Sequence, residues 1–297
     1  MSMALPLKQK NDAQLFWVFA TRIGVLFGLF FLINELSKDN AAFLYIAAGH
    51  AHFLQAYIAQ YRAGKFTRNG VLGWLILLPA AYSIAFTAPY VFTAVISVLF
   101  LLHNYVDDAH LLSVQNKNSA ILMTAPVFII YLGISFQENR LLPVADAALI
   151  AGTVLYGLAL LYGLYKRSLY ESYMIYVALQ SALIMGACYF LEHWTALHLF
   201  SLIIMGHVMN WYIHITARRA QKSVKQMNLF LTETLMANLL FFSLPVLVWL
   251  VFAVYFQNNS VGHNLQVYFY SIQAFSVWAL LHMATSLRGH KPRIFAR

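Results

Sequence analysis

The chain has 297 residues, of which 61% are hydrophobic and only 10% charged. A soluble fold of this length cannot hide so much apolar surface, so the soluble globular classes are excluded and the bilayer is the expected solvent. The formal net charge of +9 is spread over short polar breaks rather than gathered in one basic patch, which excludes nucleic acid as the partner.

Apolar runs of about 20 residues, each able to cross roughly 30 Å of hydrocarbon as a helix, recur along the chain. They fall at 14–34, 41–61, 71–88, 91–113, 119–136, 144–165, 172–190, 195–216, 229–256 and 265–286. The expected fold is therefore all-α: a polytopic integral membrane helical bundle of about ten transmembrane helices, forming a single transmembrane domain over residues 1–297. Lys8 and Lys10 precede the first run, which is long and lacks a small-residue cleavage site after it, so it reads as a retained span. Ala88 and Pro89 make spans three and four a tight outer hairpin, because proline disfavours helix continuation. The single cysteine, Cys188, excludes an intramolecular disulfide framework and a zinc site built on several thiolates.

With the N-terminus in the cytoplasm, 17 of the 19 Lys and Arg residues fall on the inner side, Arg22 being counted among them, and only Lys38 and Arg140 on the outer. The positive-inside rule then puts both termini in the cytoplasm, and a bacterial cytoplasmic (inner) membrane is the expected location, with bilayer lipids as surroundings.

Ionisable side chains inside a span are costly, and their default reading is a functional site facing the bundle interior. His50 and His52 lie in the second span, His103, Asp107, Asp108 and His110 in the fourth, His207 and His214 in the eighth and His282 in the tenth. His103, Asp107 and His110 have the i, i+4, i+7 spacing of one helix face, and His207 and His214 are i and i+7, with Asn210 and Trp211 in the same stripe. Asp108 points elsewhere. His50 and His52 stand about 200° apart on their helix, so only one of them faces a given site. His52 shares a small, polar face with Gly49, Gln55, Ala56 and Ala59, which favours it. A repeated Gly-His pair, Gly49-His50 and Gly206-His207, keeps His50 among the candidates.

Depth adds a second criterion. His52, His103 and His207 each lie about a dozen residues, roughly 18 Å, below the outer ends of their spans, whereas Asp107, His110, His214 and His282 fall into a deeper layer. Such a set suits one or two metal ions: His50 or His52, His103, Asp107, His207 and His214 as ligands, with Asp107, His110 and His282 completing a second site or moving protons. Taken singly, His50, His110 or His282 reads better as a hydrogen-bonded interhelical contact. Glu192, His193 and His198 lie near the outer boundary, where solvation accounts for them, and Glu233 suits the dipole at a helix N-terminus.

The stretches Leu102-His103-Asn104-Tyr105-Val106-Asp107-Asp108-Ala109 and His52-Phe53-Leu54-Gln55-Ala56-Tyr57 resemble the histidine-bearing helices of bacterial carotenoid-cleaving integral membrane oxygenases of the Brp/Blh type and their uncharacterised relatives. That resemblance implies iron held by histidines from several helices, here His52, His103 and His207, and oxidative cleavage of a polyene. The His-Gly-bearing first helix of that family has no counterpart here, and the His-x-x-His-His clusters of membrane desaturases are absent as well. The expected activity is a histidine-ligated iron oxygenase, an oxidoreductase acting on a hydrophobic, lipid or isoprenoid-like substrate and served by an electron donor. Three alternatives stay open at this level: a zinc-dependent intramembrane hydrolase, a protein of haem b with paired axial histidines, and a transporter or proton relay without metal.

Overall fold

In the computed structural model the described residues are 7–62, 64, 68–111, 117–138, 142–166, 172–255, 260, 264 and 269–289. They form ten helices and, among the described residues, no strand. These are α1 (Leu7–Asn34), α2 (Lys38–Arg62), α3 (Arg68–Thr87), α4 (Pro89–Leu111), α5 (Lys117–Glu138), α6 (Leu142–Tyr165), α7 (Ser172–Phe190), α8 (Ala196–Ala220), α9 (Val224–Val248) and α10 (Ile272–Gly289). Pro89 opens α4 directly after the bend at Ala88. Helix α9 runs on into a π-helical turn, Trp249–Tyr255, which begins four residues past Pro245. A proline withholds one backbone donor and crowds the preceding carbonyl, which loosens the regular winding nearby.

Among the described residues, four helices are long and apolar enough to cross a membrane by length and composition: Phe16–Asn34, Leu142–Tyr165, Ala196–Ala220 and Val224–Phe252. Shorter apolar stretches occupy α3, α4, α5, α7 and α10. The distribution of side-chain size supports the membrane reading. In α6 the buried positions are Ala145, Gly152, Ala159 and Gly163, while Ile150, Val154, Leu158, Leu161 and Leu164 are exposed. Water would drive the large apolar groups inward; lipid leaves them outside and lets small residues bring backbones together.

The chain divides into two compact units, Met1–Ala41 with Asn104–Met227, and Ala42–His103 with Asn228–Arg297. The first is built around α8, which is buried on nearly every side. α1 and α7 pack on α8 or on each other, and α5 and α6 form a tight pair. Hydrogen bonds gather at the start of α8. Trp194 Nε1 donates to Asn34 Oδ1 at 3.0 Å, His198 Nε2 donates to the Leu36 carbonyl at 2.9 Å, and the Ala196 N–H donates to Glu138 Oε1 at 2.6 Å. Solvation was the expected role for His198, but it is buried, its other nitrogen accepting from Thr195 Oγ1 at 2.8 Å. It ties the α1–α2 turn to α8 instead.

In the second unit, α10 packs on α3 through Ala81, Ala85, Val277 and Leu281, and Trp278 Nε1 donates to the Tyr82 hydroxyl at 3.0 Å. Arg62 donates two hydrogen bonds to the Glu233 carboxylate, at 3.0 and 2.7 Å. That carboxylate holds the guanidinium further into its protonated range, first through the hydrogen bond and then through its charge. Glu233 thus links α9 to α2, a role its position near a helix N-terminus did not disclose.

The α5–α6 contact offers a direct test of the packing. A Cβ at Gly152 would lie 2.7 Å from Ile130 Cγ1, whereas one at Gly157 meets nothing within 4 Å. Gly152→Leu is expected to lower stability by about 1–3 kcal/mol through overpacking, and Gly157→Leu to leave it nearly unchanged, as read by thermal unfolding in detergent.

Candidate functional site

The corner formed by α2, α4 and α10 in the second unit is set by one missing side chain. A Cβ at Gly49 would lie 2.6 Å from Phe275 Cε2, so only glycine admits that ring against α2. Phe275 then lies across a single stripe of α2, edge-on to Tyr45 at 5.2 Å and stacked on Phe53 at 5.6 Å. Phe100 of α4 closes the third side, with centroids 5.9 Å from Phe53 and 5.7 Å from Phe275. These rings are almost wholly buried and fix the register of three helices.

Two turns along α10, on the same face as Phe275, His282 enters the corner. It stacks on Phe53 at 4.7 Å. Its centroid lies 5.2 Å from His52, with the rings at 64°, and 5.3 Å from His103, at 75°. Contacts advance together along α2 and α10, from Tyr45 with Phe275 to Tyr57 with His282, so the two helices run parallel. Three imidazoles from three helices thus meet, with His282 in ring contact with both of the others.

The setting of His282 differs from the expected one. Counting from residue 265 places His282 in a deeper layer, whereas its ring contacts set it beside His52 and His103.

Further polar groups surround the corner. Gln55, one turn beyond His52 on the same face of α2, is buried, and neither atom of its amide has a hydrogen-bond partner. The Tyr57 hydroxyl is likewise buried without a partner, while its ring meets Trp74 at 4.8 Å and His282 at 6.2 Å. A buried amide left without partners costs on the order of a few kcal/mol, which marks this face of α2 as a place for a polar occupant.

His50 has other company. Its Nδ1–H donates to the Ile46 carbonyl at 2.7 Å, and its ring sits among Phe241, Phe275, Tyr270 and Trp278, at 5.5, 5.8, 6.1 and 6.3 Å. The 200° separation from His52 turns it to the aromatic side of α2. His207 and His214 lie on α8 in the first unit, the former fully buried and the latter partly. Asp107 also belongs to the first unit and is partly buried. The side chains of Asp108 and His110 lie outside the described residues.

The donor chemistry and the spacing of the corner suit a metal, but the aim of the rings does not. Two imidazoles on one tetrahedral ion have ring centres about 5 Å apart, given metal–nitrogen bonds near 2.0–2.1 Å. Among the described residues, however, no three His, Cys, Asp or Glu side chains form a group able to hold a metal ion. The imidazoles meet edge to face, and ligation requires rotation about their side-chain torsions. Comparisons with protein families, with curated proteins and with solved structures find no match to this chain.

Stacking on Phe53 predicts how position 282 tolerates change. His282→Phe is expected to keep the bundle folded, whereas His282→Ala, which empties the space against Phe53, costs about 2 kcal/mol or more. Thermal unfolding of the two variants checks this, and equal stabilities would contradict the packing described.

Proposed function

We propose that the α2–α4–α10 corner is the working centre of an integral membrane, metal-dependent enzyme, an iron oxygenase acting on a hydrophobic substrate that enters from the bilayer. The observation that carries this reading is the meeting of His52, His103 and His282 from three helices, beside the unsatisfied Gln55 amide. Imidazoles are costly in a membrane interior and gather where they bind or move something. In this proposal the three histidines would hold iron once their rings turn about the side-chain torsions, the ion would supply dioxygen chemistry when bound, and an electron donor would serve it. Gln55 and Tyr57 orient the polar end of the substrate or a water through hydrogen bonds. The wall of Phe53, Phe100 and Phe275 excludes bulk water and accepts an apolar chain.

The likeness of the His52 and His103 stretches to the Brp/Blh-type oxygenases supports the choice of iron and of a lipid or isoprenoid-like substrate. The charge asymmetry supports about ten spans with both termini in the cytoplasm of a bacterial inner membrane. The proposed iron site rests on the three histidines of the second unit.

A second reading is favoured by the edge-to-face geometry and by the lack of a metal-ready group among the described residues. In it the three imidazoles pass protons along α2 and α10 without metal.

Metal analysis by plasma mass spectrometry with a visible spectrum separates these readings. The expected result is about one equivalent of iron in the purified protein, no Soret band, and at least tenfold less iron in both His103→Ala and His282→Ala. Zinc in place of iron would point to a hydrolase and a Soret band to haem b. Absence of metal would leave the proton relay, and full occupancy in both variants would overturn the ligand assignment.

A further inference from the structure

The cations of the chain differ in their surroundings. Of those whose side chains are described, Arg22 is buried on α1, and Arg62 is held by the Glu233 carboxylate. Lys166 lies over the Tyr165 ring at 4.9 Å, and Lys38 has Glu35 and Asp39 close by in sequence. The remaining four, Arg218, Arg219, Lys222 and Lys225, fall within eight residues of the first unit, where α8 gives way to α9. None of the four forms an ion pair among the described residues, and the sequence holds no Asp or Glu from 193 to 232.

The fold fixes where this charge stands. Ala196–Ala220 and Val224–Phe252 are each long and apolar enough to cross a membrane, and only residues 221–223 separate them. That connection is tight. The Lys222 and Ser223 N–H groups both donate to the Arg219 carbonyl, at 3.0 and 3.1 Å. Ser223 Oγ accepts from the Gln226 N–H at 3.1 Å, which caps α9. With an apolar helix on either side and three residues between, the four cations are confined to the layer of lipid headgroups. Arg218, Lys222 and Lys225 are exposed and Arg219 partly so, and Val224 beside them offers an exposed apolar contact.

The helix dipoles account for only half of this charge. Arg218 and Arg219 lie in the last turn of α8, where the carbonyl end of a helix favours a cation. Lys222 and Lys225 flank the start of α9, where the amide end disfavours one. Two lysines at the unfavourable end of a helix, remote in sequence from any carboxylate, suit an anion supplied from outside the chain.

From this arrangement we infer that the α8–α9 turn is a recognition surface for anionic phospholipid. Arg219, Lys222 and Lys225 take the phosphodiester oxygens at the membrane surface, and an acyl chain lies beside Val224. A cation next to a membrane span raises the affinity for anionic lipid about fivefold. The inference is independent of the histidine corner, and neither metal nor activity enters its test.

The test is native mass spectrometry of the purified full-length protein, released from a nonionic detergent with equimolar phosphatidylglycerol and phosphatidylcholine of the same acyl chains. Phosphatidylglycerol is expected to be retained at least tenfold in preference, and the preference should fall as salt rises. The paired variant Lys222→Gln/Lys225→Gln should lose about tenfold or more of it, whereas Lys222→Arg/Lys225→Arg keeps it. Lys8→Gln/Lys10→Gln removes as much charge elsewhere and should leave the preference unchanged. If the first glutamine pair does not fold, Lys222→Gln alone should lose about fivefold. Equal effects of the two glutamine pairs would reduce the preference to net charge and overturn the surface. Equal retention of the two lipids, or an unchanged preference in Lys222→Gln/Lys225→Gln, would overturn it as well. Displacement of phosphatidylglycerol by inorganic phosphate would assign the turn to a free anion and overturn the lipid.

Discussion

In hydrocarbon, a polar side chain has no solvent to fall back on, so each must meet another polar or aromatic group or face the interior of the bundle. The architecture of this chain follows from that constraint. Large aliphatic residues cover the outside of α6 and α9, small ones face α5, and most of the buried histidines, amides and hydroxyls lie on α2, α4, α7, α8 and α10. Packing in lipid gains little from hiding apolar surface, so close backbone approach at small residues takes over that work.

Gly49 is where this packing becomes a site. Its missing side chain admits Phe275, Phe275 sets the register of α10 on α2, and that register brings His282 to Phe53, His52 and His103. The aromatic frame and the imidazoles are thus one construction. The rings of Phe53, Phe100 and Phe275 exclude water from the same space in which the histidines meet, which strengthens every electrostatic interaction there.

Much of the fold was legible in the sequence because the apolar runs and their polar breaks coincide with the helices. The expected runs for α2 to α9 begin and end within about five residues of those helices, the ninth including the π turn, whereas α1 starts seven residues before its run. The partnership of His282 with His52 and His103 was hidden because counting residues from a span end does not disclose how α10 is set along α2 and α4. The choice of His52 over His50 was open to helical phase alone, and the structure gives His50 an aromatic setting instead. Arg22 was missed for the opposite reason: a basic residue a few positions from a cytoplasmic end satisfies the charge rule whether it is solvated or buried. Only the stripe it shares with Leu26, Leu29 and Ile33 distinguishes the two.

The central contact of the molecule is that of the α10 imidazole with those of α2 and α4. Cysteine pairs in a Cys188→Ser background test it in native membranes, with an ethane-bridged bis-methanethiosulfonate as the cross-linker and mass spectrometry as the readout. Position 282 should be bridged efficiently to 52 and to 103 but not to Leu99, which lies on the exposed stripe of α4. Bridging of 282 to position 99 but to neither histidine position would contradict the corner and the function built on it.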